Sequence, residues 1–275
     1  SRSYVSASTD DLANWVDRFF GAPRTDIESA YSSLRLSVES EWEEGVGFSE
    51  KVRLRGNVHL PRVNERLSLV FTDESGDELS QDSDINKLAE DSSSSKVGLE
   101  YNIREKRNSR LDFRVGIRSS GRGKARIRYR YQLPWGEKML HRFTEHLYFV
   151  DGDGFGLSSR YELDRSLADD RLFRWSNTVN VAEEFDGVEW SSRWLVTQRL
   201  GNSRALTHFI WLNGETRPES LTKSYGVGMK YRENFYRDWL FYEVKPAYAW
   251  KRYSIEENRE GTALITFGIE ALIEN

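Results

Sequence analysis

The chain has 275 residues, 40 Lys+Arg against 44 Asp+Glu, a formal charge of −4 and no cysteine. That near-neutral balance argues against a nucleic-acid partner, which draws a basic excess, and the missing cysteine removes disulfides, thiolate zinc sites and thiol nucleophiles. Aromatics at 13% alongside charged residues at 31% suit a protein whose two faces meet different solvents, yet no run of eighteen apolar residues offers a membrane-spanning helix.

In chain order, the polar opening SRSYVSAST is what a processed N-terminus would show. Residues 8–20 follow as the one predicted helix, with Ser8 or Thr9 as cap, Asp10 and Asp11 in the first turn and Gly21-Ala22-Pro23 as the stop. Leu12, Trp15, Val16 and Phe19 share one face at helical spacing. That face predicts either packing on the rim of a larger body, a plug, or a docking element for a periplasmic or surface partner. Residues 1–28 are therefore set apart as an N-terminal periplasmic segment.

From residue 29 to residue 275 the period is two. In Lys124–Tyr131 the residues Lys124, Arg126, Arg128 and Arg130 point one way, while Ala125, Ile127, Tyr129 and Tyr131 point the other. A helix would scatter those charges around its circumference. Strands are predicted near 29–41, 48–60, 65–73, 95–105, 110–118, 123–132, 139–150, 155–164, 171–181, 188–199, 203–213, 223–233, 238–250 and 262–274. These runs are long for a soluble protein, where strands average about 5–6 residues, and match the roughly 9–11 that a tilted strand needs to cross hydrocarbon.

Short connections alternate with more variable ones, as periplasmic turns alternate with outer loops in membrane barrels. The predicted fold is an all-β, antiparallel, up-and-down transmembrane barrel of about fourteen strands, with twelve to sixteen allowed. The longest connection, 73–95, is acidic and polar and reads as a mobile outer loop. It lacks the spaced Gly and distal Glu of a calcium loop. No metal or cofactor is expected.

Taking apolar faces as outward, the lumen receives Lys51, Arg53, Arg55, Arg104, Arg110, Arg114, Arg118, Lys124, Arg126, Arg128 and Arg130. Counter-charges on the same side are Glu39, Glu100, Asp112, Glu162, Glu189, Glu243 and Glu270. The set reads either as ladders of cross-strand ion pairs or as a path for anions, because a confined lumen focuses its field. Trp175, Trp190, Trp194, Trp211, Trp239 and Trp250 are assigned to the membrane interface, where amphipathic rings settle. Glu145 falls on the nominal lipid side, which predicts a bulge in 139–150.

No catalytic set is found. His59, His141, His146 and His208 have neither a serine two places on nor an aspartate two places before. His141 and His146, five apart, fall on opposite faces of a regular strand.

The last strand, with Thr266, Gly268, Ala271 and Ile273, resembles the C-terminal assembly signal of Gram-negative outer-membrane barrels. It departs from that signal by ending in Asn275 rather than Phe or Trp. The resemblance implies outer-membrane lipid and lipopolysaccharide as surroundings. In charge pattern the basic wall is similar to that of oligogalacturonate-type acidic-sugar porins. The expected function is a passive channel for small anionic solutes. The alternatives are a closed barrel serving as scaffold or partner-binding protein, a lipid-modifying enzyme, and a soluble β-rich protein.

Overall fold

A computed structural model describes residues 2–20, 32–60, 66–76, 97–118, 121–136 and 138–274. It shows one helix, α1 (Arg2–Phe19), followed by fourteen strands. The first seven are β1 (Ser33–Glu43), β2 (Gly47–His59), β3 (Leu67–Gly76), β4 (Val97–Lys106), β5 (Ser109–Ile117), β6 (Gly123–Trp135) and β7 (Met139–Val150). The second seven are β8 (Gly154–Ala168), β9 (Arg171–Ala182), β10 (Phe185–Arg199), β11 (Arg204–Glu215), β12 (Leu221–Asn234), β13 (Leu240–Lys251) and β14 (Glu260–Glu274). Every predicted strand is present, with ends that differ by a few residues.

Each strand pairs antiparallel with its sequence neighbours, and β1 closes on β14 from Ser33↔Glu274 to Glu43↔Leu264. Closure removes both sheet edges, which hydrocarbon could not solvate. The outward residues are apolar and open: Val38 is 45% exposed, Ile127 41% and Phe267 47%. Such a belt around a closed barrel is matched by lipid, because water would leave it unburied on every side.

Three sequence expectations are corrected. The helix begins at Arg2, so Ser8 and Thr9 lie within it rather than capping it. Residues 2–7 hold neither Gly nor Pro, so nothing in them breaks the helix. The Gly21–Pro23 stop and the rest of the 21–31 segment lie outside the described residues.

The bulge expected in 139–150 is absent. β7 keeps an unbroken register with both β6 and β8 over its whole length. Glu145 is therefore a true outward residue, opposite Tyr129 and Ser159.

A bulge sits elsewhere, between Asn102 and Arg104 in β4. One extra residue reverses the alternation beyond it, so Arg104 lies opposite outward Leu111 and is exposed. The acidic segment predicted as an outer loop lies, from residue 77 to 96, outside the described residues.

α1 enters the barrel. Leu12, Ala13 and Val16 pack on Leu172, and Phe19 packs on Ala205 and Phe241. Leu172, Ala205 and Phe241 are each the second residue of their strand and face inward. The helix thus sits within the lumen at the end of the barrel that carries the short turns. The apolar stripe read from the sequence is the face that docks, and burying it supplies the main driving force for docking.

Candidate functional site: a charged lumen

The inward faces of β4, β5 and β6 form a basic wall. The register stacks Arg110 opposite Arg130, Asp112 opposite Arg128 and Arg114 opposite Arg126, with Glu100 opposite Arg114 on the other side. Five guanidiniums gather on two carboxylates. Glu100 receives Arg114 at 2.5 Å, Arg128 at 3.1 Å and Arg126 at 3.6 Å. Asp112, almost fully buried, receives Arg110 at 2.6 Å, Arg128 at 3.1 Å and Arg130 at 3.3 Å.

Each carboxylate holds the forks in fixed directions, and beyond the β4 bulge Glu105 lies opposite Arg110. The column continues to the rim at the variable-loop end, where Arg118 meets Asp153 at 2.8 Å and Arg122 bonds the same carboxylate. Lys124 stands between, its ammonium 5.0 Å from the Tyr148 ring.

The remaining predicted lumen residues take separate places. Arg53 bonds Glu39 at 3.1 Å, and both line a cavity of about 210 Å³ together with Arg55 and Lys230. On the same side Arg232 bonds Glu270 at 2.6 Å, Glu243 takes Lys230 at 3.1 Å, and Phe20 of the helix end forms part of the wall. Lys51 alternates with these residues on β2, and Glu189 faces inward opposite Glu215 and Asn180. Glu162 lies 3.6 Å from Arg142.

Sequence reasoning missed the group that holds the helix. Asp17, 3% exposed, receives Arg142 at 2.8 Å and Arg174 at 2.5 Å. Asp164, with no exposure, holds the same two arginines from the barrel wall at 2.7 Å each. Burial alone would raise the Asp17 pKa. Arg174 and Arg142 outweigh it and bring the carboxyl to about 2. The available signal was an acid beside Val16 on an otherwise apolar helix face, and three alternate-position charges, Arg142, Asp164 and Arg174, on neighbouring strands.

The tryptophans divide. Trp175 and Trp194 are cross-strand partners on the outward face, and Trp175 donates to Ser192 at 3.0 Å. Trp190 shares that face, Trp250 stacks on Tyr225, and Trp239 is exposed just before β13. Trp211 is a correction: it is 4% exposed and packs inward with Phe209, Ala249 and Leu264. Both faces of β11 are apolar, so alternation could not choose between them. The choice is made on β12, where a Cβ on Gly226 would lie 2.3 Å from the Trp211 ring and one on Gly228 2.5 Å from Phe209. Bare glycine backbone gives the two rings their floor.

His141 is outward and shares a 2.8 Å hydrogen bond with the Tyr161 hydroxyl, whereas His146 faces inward opposite Arg128 and Ser158. Among the described residues no group of three or more His, Cys, Asp or Glu could hold a metal.

No family model and no curated protein matches the chain in sequence. Solved structures do match it in fold. A loop-deletion mutant of OmpT, an outer membrane protein of Vibrio cholerae, aligns at 8% identity over 88% of this chain and 98% of that one, with a TM-score of 0.54. A bacterial polysaccharide outer membrane secretin aligns at 9% identity over 89% and 99%, with a TM-score of 0.51. A KdgM porin in complex with disordered oligogalacturonate aligns at 8% identity over 86% and 98%, with a TM-score of 0.44. With its closed fourteen-strand sheet and apolar outer belt, the chain has the fold of a bacterial outer-membrane β-barrel.

Proposed function

We propose that this barrel is a channel of the bacterial outer membrane for small anionic solutes, with the β4–β6 wall as its attractive track and α1 as a plug in its periplasmic mouth. The observation that carries the reading is the gathering of five arginines around Glu100 and Asp112, continued to the rim by Arg118 and Arg122. In a narrow lumen with low-dielectric walls an unbalanced column concentrates anions, and the guanidinium fork suits carboxylate, sulfate and phosphate. Fourteen strands lie between the side-chain-filled eight-stranded barrel and the open sixteen- to eighteen-stranded porin, so a narrow pore fits the dimensions.

The docked helix supports a second element of the reading: the barrel at rest is closed or constricted at one end. A barrel permanently closed in this way would be a scaffold or partner-binding protein, with lipid and lipopolysaccharide around it.

The test is reversal potential in planar bilayers under a potassium chloride gradient. The native protein should favour chloride, and Arg126→Glu with Arg128→Glu should move the reversal potential toward potassium. Selectivity unchanged in a variant that still folds as a heat-modifiable barrel would remove the track. A native barrel that stays silent with and without its helix would leave the scaffold.

A further inference from the structure

The outward face is not uniform. At mid-strand, where the hydrocarbon centre lies, the outward residues over most of the barrel are apolar, as with Val38, Val52, Leu99, Phe113, Val227 and Phe267. On β7 to β10 the same level carries Glu145, Ser159, Asn177 and Ser192. The unbroken register of β7 excludes a bulge as the cause. A carboxyl and a carboxamide facing hydrocarbon are costly unless they are paired.

Within one chain they are paired only in part. Glu145 accepts from the Ser159 hydroxyl at 2.5 Å, and no other described residue bonds it. Asn177 accepts from Ser192 at 2.8 Å through its oxygen, and no described residue takes its two amide hydrogens. The face therefore holds an acceptor wanting a donor and a donor wanting an acceptor. They cannot meet each other within one chain. Two strand spacings and a two-residue offset along the strand separate them by about 12 Å.

Their placement nevertheless fits a second copy. β7 and β9 run in the same direction, and six residues precede Glu145 in β7 and Asn177 in β9. The two side chains thus lie at one membrane depth, on either side of β8. Two copies inserted with the same orientation are related by an axis along the membrane normal, which keeps depth and exchanges left for right. An axis passing outside β8 brings Glu145 of each copy to Asn177 of the other, the reciprocal pairing of an isologous contact. Ser159, aligned with Glu145, and Tyr161, aligned with Asn177, flank that axis; Ser159 is small, and Tyr161, Leu157 and Val179 offer contact around it.

We propose that β7–β9 is the interface of a two-fold dimer, closed in the membrane by reciprocal Glu145–Asn177 hydrogen bonds.

The chain has no cysteine, so a single introduced one is a unique reporter. Ser159→Cys, oxidised in intact outer membranes, should give a disulfide-linked dimer. Phe267→Cys on β14 should remain monomeric. In mild detergent the native protein should show twice the chain mass by light scattering, and Glu145→Leu with Asn177→Val should return it to one chain mass while heat-modifiability persists. A native monomer in both membrane and detergent would overturn the proposal. So would crosslinking at 267 in preference to 159, a trimer, or a double variant that remains a dimer.

Discussion

Two arginine groups share this lumen and differ in one respect. On β4–β6, Arg110, Arg114, Arg126, Arg128 and Arg130 surround Glu100 and Asp112. At the short-turn end, Arg142 and Arg174 meet Asp17 and Asp164, two charges against two, with Glu162 beside them. Residue type, alternation and burial are alike. In the first group five arginines gather on Glu100 and Asp112, the arrangement on which the proposed anion track rests. The second is neutralised by its own carboxylates, one of them on the helix, and acts as a latch. On the proposed reading, the acids supplied to each arginine cluster, more than the number of arginines, separate the track from the latch.

The largest effect expected to sharpen this contrast comes from removing the latched element. Deleting residues 1–24 should raise single-channel conductance severalfold while leaving ion preference in place, because the basic wall is untouched. Unchanged conductance would mean that the helix does not obstruct the path.

Next is stability. Trp211→Ala should lower barrel stability by about 3–5 kcal/mol, the usual cost of emptying an aromatic site, measured by urea titration of the folded barrel in detergent. Its effect on selectivity should be small, since Trp211 lies across the lumen from the basic column. A loss below about 1 kcal/mol would put the ring at the lipid interface after all, where truncation leaves no cavity.

The mildest is the pH response of the latch. Docked Asp17 titrates at about 2, against 3.8 for a carboxyl released to water. A carboxyl whose pKa is depressed on docking contributes stability that is complete above the released value and is lost as pH falls through the docked one. The helix should therefore stay seated at pH 5 and loosen between about 4 and 2. The contribution is on the order of 2 kcal/mol, at 1.36 kcal/mol per pKa unit. Conductance recorded down that range should rise in the native protein, and Asp17→Asn should abolish the dependence. A native protein whose conductance is flat between pH 5 and 2 would separate Asp17 from the closed state.

Much of the barrel was legible without coordinates. Lys124–Tyr131 could form nothing but a strand, since its charges and rings share faces only at period two. Its neighbours repeated the pattern, so strand number and placement followed. Lumen placement of Arg110, Arg114, Arg126 and Arg128 came from the same rule. The rule failed at Arg104, where a single inserted residue reversed the alternation. It was also mute at Trp211, where both faces of β11 are apolar.

What the sequence by itself determined is periodicity, and periodicity follows from local backbone geometry that each strand carries alone. Tertiary structure decided three things: that α1 turns its apolar face into the lumen, that Asp17 meets Arg142, 125 residues on, and the still more distant Arg174, and that Gly226 and Gly228 draw the β11 rings inward. Each depends on which surfaces become neighbours once β1 closes on β14. A carboxylate on a helix has no partner until closure of the barrel places two arginines at one depth on the same wall.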